Sequence, residues 1–383
     1  MTARDDTMTL DLTEPSLRLL AELVEPADIR LNGARPWDPQ VRAPGFARRV
    51  FSGGSLGLGE SYMDGEWDCE QLDELFHRVL RAKLDERISP LRLAVHALRH
   101  RLFNLQGVRR AFHVGEHHYD LGNDLYVAML DRRMTYTCGY WAEAQDLDAA
   151  QEAKLELSCR KLMLEPGMRV LDIGCGWGSF AQYAAERYGV EVVGVTISRE
   201  QARLAEERCA GLPVTIHLQD YRDIQGRFDR IVSLGMFEHV GGKNYRTYFD
   251  VARRCLRPDG LFLLHTIGKN RSESPPDPWI DRYIFPNGAL PSLAQIARAA
   301  EGRFLIEDVH NFGADYDRTL MAWYRNFEAH WPELAARYDE RFRRMWRYYL
   351  LSCAGTFRAR ETQLYQVVLG GLGRSGRYDR PSL

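Results

Sequence analysis

Short apolar runs alternate with helix-length segments of mixed polarity through the middle of the chain, and this is the plainest message of its hydrophobic pattern. The apolar run from Val170 leads into a helix-length stretch, Ser179–Tyr188, and then into Val192, Val193 and Val195, a second run that ends at Thr196. Runs of this length read as strands and the stretch between them as a helix, giving a strand, helix, strand unit. The unit recurs. Strand-like runs follow at 213–218, 230–234 and 261–267, with helix-like stretches at Arg199–Arg208 and 244–256 between or beside them. Such alternation predicts an α/β fold with an open, mostly parallel, doubly wound sheet and a ligand crevice outside the C-terminal ends of its strands.

The flanks follow other patterns. Residues 1–110 hold a Pro- and Gly-rich stretch (32–45), a glycine cluster (52–59) and then helix-like segments, so we expect a smaller, largely helical N-terminal domain before a main domain at 111–383. Between Glu86 and Glu116 no acidic residue occurs, yet Arg87, Arg92, Arg99, Arg101, Arg109 and Arg110 do. Leu91, Val95, Leu98, Leu102 and Leu105 recur there at intervals of four and three, which stacks them on one helical face beside the arginines. That pattern suits a helix lying on an anionic lipid surface, and equally a core helix with a solvated basic face. The stretch 320–369 is aromatic and helix-like, with Trp323, Phe327, Trp331 and Trp346 among its rings. It reads as packed core or as the wall of an apolar channel covering the crevice.

Composition narrows the classes. A formal charge of -2 gives no global attraction to nucleic acid, and no run approaches the roughly 20 apolar residues of a spanning helix. The acidic start, residues 1–14, lacks the basic and apolar regions of a signal peptide, so a cytoplasmic location is expected. Seven cysteines without a C-x-x-C pair argue against a disulfide framework or a structural metal site, and we expect reduced core thiols and no metal.

The candidate chemistry begins at residues 170–178, Val-Leu-Asp-Ile-Gly-Cys-Gly-Trp-Gly, where an apolar strand runs into Gly174, Gly176 and Gly178. Glycines let the chain turn sharply and approach a ligand, and Asp172 ends the strand with an acceptor. A dinucleotide loop reads G-x-G-x-x-G, whereas this one reads D-x-G-x-G-x-G, with its last glycine one residue early. S-adenosylmethionine, which carries no phosphate, fits that spacing better. The acid commonly found near position 196 for ribose hydroxyls is absent; Thr196, Ser198 and Gln201 stand there instead, with an ordinary helix cap as an equal reading of Ser198. Gln219 and Asp220 end the third strand, where Asp220 serves either the adenine or a turn.

Further segments give this framework a family. They are His118-Tyr-Asp-Leu-Gly-Asn-Asp124, Met134-Thr-Tyr-Thr-Cys-Gly-Tyr-Trp141, Gly235-Met-Phe-Glu-His-Val240 and Leu263-Leu-His-Thr-Ile-Gly268. With the glycine loop, and with 283–288, 311–316 and 353–358, they resemble the bacterial cyclopropane fatty acid synthases over nearly all of the chain from about residue 110. The resemblance implies a class I S-adenosylmethionine-dependent methyltransferase fold. It implies an enzyme that adds a methylene from S-adenosylmethionine across the cis double bond of an acyl chain in a membrane phospholipid, working at the inner face of the cytoplasmic membrane. Tyr136 and Thr137 join the cofactor set. Ring closure through a carbocation needs a base, which the resemblance makes a bound bicarbonate held by Cys138, Glu238, His265 and Tyr316 with the Ile267 backbone. His239 is read as a support for Glu238, and Cys138 as a neutral donor. Aromatic faces stabilise a cation, and Tyr136, Tyr140, Trp141, Tyr316 and Phe237 are the candidates. The N-terminal region is assigned to lipid docking and a possible homodimer. Two other readings are a related methyltransferase that leaves the ring open and a lipid-surface binding protein without activity.

Overall fold

The computed structural model describes residues 14–84, 122–272 and 275–382. Its centre is a seven-stranded sheet of β3 (Arg169–Ile173), β4 (Glu191–Thr196), β5 (Val214–Leu218), β6 (Phe228–Leu234), β7 (Leu256–Lys269), β8 (Leu305–Asn311) and β9 (Thr362–Gly370), in the order β5-β4-β3-β6-β7-β9-β8. The first five run parallel, as the alternation predicts, because each crossover carries a helix or turn that returns the chain to the same edge. Strand β9 alone is reversed: β8 runs in the same direction as β7, and β9 is inserted antiparallel between them. It occupies the end of the stretch read as helix-like, which is a correction. All nine of its residues are buried, so no polar face marks it as a strand, and its apolar run cannot be told from a core helix by periodicity.

The N-terminal described residues form α1 (Pro15–Val24), α2 (Phe46–Gly53), α3 (Ser55–Met63), α4 (Leu72–Arg81) and a short pairing of β1 (Gln40–Val41) with β2 (Trp67–Asp68). Helices α5 (Asn123–Met129), α6 (Leu147–Lys161), α7 (Ser179–Tyr188), α8 (Arg199–Arg208), α9 (Tyr245–Cys255), α10 (Pro278–Tyr283) and α11 (Leu293–Ala300) surround the sheet or its entry. Three more, α12 (Asp315–Ala329), α13 (Trp331–Leu334) and α14 (Glu340–Arg358), come between β8 and β9. The aromatic stripe of α12 and α14 is packed core: Trp323, Phe327 and Trp346 are fully buried in one apolar cluster with Trp67 of β2 and with Tyr62 and Leu72 from the N-terminal helices. Tyr348 sits between Tyr62 and Trp279, with ring centroids 5.5 and 4.5 Å away. Gly355 lets α4 and α14 cross closely, because a Cβ there would lie 2.5 Å from the Asp73 carbonyl. Arg358 clamps the same crossing through Asp73 (2.7 Å) and ties α14 to α12 through Asp317 (2.9 Å). The six described buried cysteines and half-buried Cys353 are all free thiols. The basic segment between Glu86 and Glu116 and residues 118–121 lie outside the described residues.

Candidate active site

Strand β3 delivers its glycine loop to a crevice at the C-terminal edge of β3, β4, β5 and β6. Gly174 and Gly176 both hold positive φ, +83° and +54°, where a side chain is strained. They differ in what surrounds them: a Cβ on Gly174 would sit 2.6 Å from Met236, whereas one on Gly176 would point into open space. That open space is a cradle for a ligand, walled by Trp177, Phe180 and Ile197 and edged by Asp172, Thr196, Gln201, Gln219 and Asp220. Tyr136 and Thr137 line it from the segment before α6.

Two expected members lie elsewhere. Gly178 is the left-handed N-cap of α7, close-packed on Ala205 and Cys209, and Ser198 caps α8 by accepting from the Gln201 amide at 3.3 Å. Neither lines the crevice. Gln201 is buried and its side-chain oxygen accepts from the Thr196 hydroxyl at 2.8 Å. Asp220 does line the crevice, but it also makes the turn, accepting from the Arg222 amide (2.9 Å) and guanidinium (3.0 Å). With Arg222 tied to Asp220 and no lysine among the described residues of the walls, the crevice suits a nucleoside without phosphates. Burial pushes the Asp172 carboxyl up to about 7, against the pull of nearby Lys154, and its Oδ2 is buried with no hydrogen-bond partner.

The second group lies toward the ends of β6 and β7. Glu238, in a tight turn after β6, is buried, and its Oε1 accepts from the Ile267 amide at 2.7 Å. The resemblance has that amide donating to a bound anion; here it is given to Glu238. Burial raises the Glu238 carboxyl to about 7 despite that bond, and Oε2 has no partner. His265 on β7 is buried, and its Nδ1 lies 3.3 Å from the Gln366 amide nitrogen while Nε2 has no partner. Burial, with the charges of Lys154 and Lys161 nearby, holds its imidazole well below the usual range. Cys138 is fully buried, its Sγ 3.2 Å from the Gly139 carbonyl, and burial keeps its thiol protonated. Tyr316 at the start of α12 is buried, with Cys138 and Glu238 close enough to raise its phenol further above the normal value. His239 lines the cofactor crevice rather than only backing Glu238, and burial lowers it to about 4.

The candidate aromatics separate by neighbours. Tyr136 and Tyr316 both flank Trp323, at 5.1 and 5.9 Å between centroids, beside Tyr349 and Phe357. Trp141 already carries the Arg318 guanidinium over its ring at 4.5 Å, and Tyr140 packs on His310 and Phe312. Phe237 stacks on Tyr245 at 4.4 Å inside a different core cluster. It is packing.

Sequence reasoning passed over one set of residues. Along α6, Gln151, Lys154, Ser158 and Lys161 are all buried and share a face. Gln151 donates to the Thr137 carbonyl at 2.7 Å, and Lys154 Nζ donates to the Thr137 hydroxyl at 2.6 Å. Burial brings Lys154 down to about 8, opposed by Asp131, Cys138 and Asp172. Lys161 lies 3.0 Å from His310 Nδ1 and 3.8 Å from Asp308, and burial lowers it to about 7. The available signal was a helix-length stretch without a one-sided apolar face, which marks polar residues turned inward. Among the described residues no group of three His, Cys, Asp or Glu is placed to hold a metal, and no helix is long and apolar enough to cross a membrane.

Comparison with known proteins adds the family. The cyclopropane-fatty-acyl-phospholipid synthase of Escherichia coli (strain K12) is 59% identical over 356 residues, 92% of each chain. The structure of the cyclopropane synthase MmaA2 from Mycobacterium tuberculosis matches with a TM-score of 0.64 at 33% identity, covering 68% of this chain and 98% of that one. The mycolic acid cyclopropane synthase CmaA1, crystallised with SAH and CTAB, matches with a TM-score of 0.63 over the same shares, also at 33% identity. The sheet is thus that of the S-adenosylmethionine-dependent methyltransferases. The model of the mycolic acid cyclopropane synthetase family matches residues 106–367, and the chain belongs to that family.

Proposed function

We propose that this chain is a cyclopropane-fatty-acyl-phospholipid synthase that closes its ring with a bicarbonate base held between Glu238 and His265. The similarity to the Escherichia coli synthase over 92% of the chain supports the activity. The observation that carries the base site is a pair of buried polar atoms without partners, Glu238 Oε2 and His265 Nε2. Orphaned buried polar atoms are costly, about 1–3 kcal/mol each, and in this reading the bound anion is the partner of both.

When bound, S-adenosylmethionine supplies an electrophilic methyl group and bicarbonate supplies a base. In this reading Gly176, Asp172 and Gln201 seat the cofactor, and Tyr136 and Thr137 close it in from the sheet's edge. The alkene π pair forms the new carbon-carbon bond as the sulfonium-methyl bond breaks, leaving a cation on the acyl chain. Tyr136 and Tyr316 face that charge, and the dry, aromatic surroundings deny it water. With the anion bound, Glu238 Oε2 would accept its hydroxyl, His265 and Tyr316 would donate to its other oxygens, and the Cys138 thiol would join them by turning its S–H away from the Gly139 carbonyl. We assign the Ile267 amide to orienting Glu238. Loss of one methyl proton lets its C–H pair form the third ring bond.

The phospholipid substrate places the enzyme at the cytoplasmic face of a membrane, with residues 1–110, including the arginines between Glu86 and Glu116, as the lipid-docking and dimerisation region. The test is mass spectrometry of vesicle phospholipids after incubation with methyl-labelled cofactor. The expected product gains one CH2 and resists ozone at the former double bond; a product gaining CH2 that ozone still cleaves is a branched alkene and refutes ring closure.

A further inference from the structure

The antiparallel register of β9 sets Gln366 directly opposite His265 on β7 and, on its other side, opposite His310 on β8. Directly paired residues share a face of the sheet, so the three form a polar row. That row meets Ser158, with Lys154 and Lys161 on the same face of α6. The hydrogen bonds run in one direction. The Ser158 hydroxyl donates to the Lys154 carbonyl at 2.8 Å, which commits its only proton. Ser158 Oγ therefore accepts from the Gln366 amide nitrogen 3.2 Å away. The same nitrogen is 3.3 Å from His265 Nδ1 and gives it the second amide hydrogen.

Turning the Gln366 amide over would move its NH2 group to the place of Oε1, where no partner stands, and strand two buried donors in place of one acceptor. The drawn orientation is the better satisfied. A ring nitrogen that accepts cannot carry the proton, so the direction set at the Lys154 carbonyl passes to His265.

We propose that Gln366, oriented by Ser158, is a positioning residue that fixes His265 as the tautomer with its proton on Nε2, so that the orphaned atom at the site is a hydrogen-bond donor. Burial, reinforced by Lys154 and Lys161 from α6, keeps the ring from taking a second proton, and Phe312 packs on it edge to face with ring centroids 5.8 Å apart. The inference rests on the proposed function only in what the donor serves; the tautomer itself does not need bicarbonate.

The test is nitrogen NMR of the protein labelled with 15N-histidine, the His265 pair being identified by its loss in His265→Asn. In carbonate-free buffer the parent is expected to show Nε2 protonated and Nδ1 bare. Gln366→Met and, separately, Ser158→Ala are expected to spread the proton over both nitrogens. Turnover should fall by about 10- to 100-fold, the scale on which partners that orient a functional histidine act. A parent proton on Nδ1, or an unmoved tautomer in folded Gln366→Met, overturns the proposal. If Nε2 is protonated but added bicarbonate leaves its resonance in place, the tautomer assignment stands and the bicarbonate reading falls.

Discussion

The cofactor crevice is built largely from near neighbours in sequence, whereas the Glu238 and His265 cluster is built from residues far apart in the chain that meet through helix packing, turns and strand register. Asp172, Gly174 and Gly176 run from the end of β3 into the loop before α7, and Thr196 and Gln201 span the next junction, from the end of β4 into the first turn of α8. The second cluster draws Cys138 from before α6, Glu238 from after β6, His265 from β7, Tyr316 from α12 and Gln366 from β9. A local site fails by a local clash. A distributed site fails by losing one hydrogen bond in a chain of them, with the fold intact, so substitutions in the two regions should have different signatures.

The largest effect is expected in the local region. Gly176→Val puts a branched side chain into the ligand's space and at φ +54°, a strain of about 1–2 kcal/mol before any clash is counted. Apart from its two chain neighbours, none of the described residues comes within 4 Å of that Cβ, so the fold should survive. Calorimetry is expected to find no S-adenosylmethionine binding; parent-like affinity in folded Gly176→Val would remove the crevice from the account.

In the distributed region, Glu238→Gln should leave cofactor affinity unchanged and cut ring formation roughly 100- to 1000-fold, the usual loss when one preorganised partner of a reacting group is removed. Raised bicarbonate should restore part of that loss. An unchanged rate would show that Glu238 stands outside the chemistry.

The same substitution should separate stability from activity. Glu238 moves from 4.5 in the unfolded chain to about 7 in the folded one, so between those values the folded state holds a proton that the unfolded state releases. The stability that neutral Glu238 contributes is complete below pH 4.5 and lost as the pH rises through 7. Above that, the buried carboxylate costs about 3 kcal/mol at 1.36 kcal/mol per pH unit. Glu238→Gln should thus match the parent in urea at pH 4 and exceed it at pH 8. A stability gap that does not change with pH would mean that Glu238 titrates normally.

The smallest effect is expected at the basic segment. Arg109→Gln with Arg110→Gln should weaken binding to anionic vesicles by about 1 kcal/mol for each charge, and salt should weaken the parent's binding in the same sense. Vesicle flotation checks both. Salt-insensitive flotation, equal in the double variant, would return this segment to core packing.

The contrast between the regions also explains what could be read from the chain. The strands and helices from Arg169 to Cys255 were legible because each carries its own period and its own turn residues. Strand β9 was not, since it is buried along its whole length and its partners lie far back in the chain, in β7 and β8. Ser198 and Asp220 looked like ligand groups because a cap and a binding acceptor use the same oxygen; the structure gives Ser198 to the cap and shows Asp220 in a turn that also lines the crevice. Cys138, Glu238, His265 and Tyr316 came only from a family resemblance, as nothing local marks a lone buried His or Cys. Lys154, Ser158 and Gln366 stayed hidden for the same reason in stronger form: each is polar in a stretch whose burial is decided by elements elsewhere in the chain.

The most direct test of the central claim, a carbonate base at the Glu238 and His265 end, is the rate of ring formation by the parent enzyme as carbonate is removed and returned. With degassed, carbonate-free buffer and vesicles of unsaturated phospholipid, cyclopropane formation is expected to fall to a small residue and to recover along a saturating curve as bicarbonate is added. Full turnover without carbonate, unchanged on addition, would contradict the account.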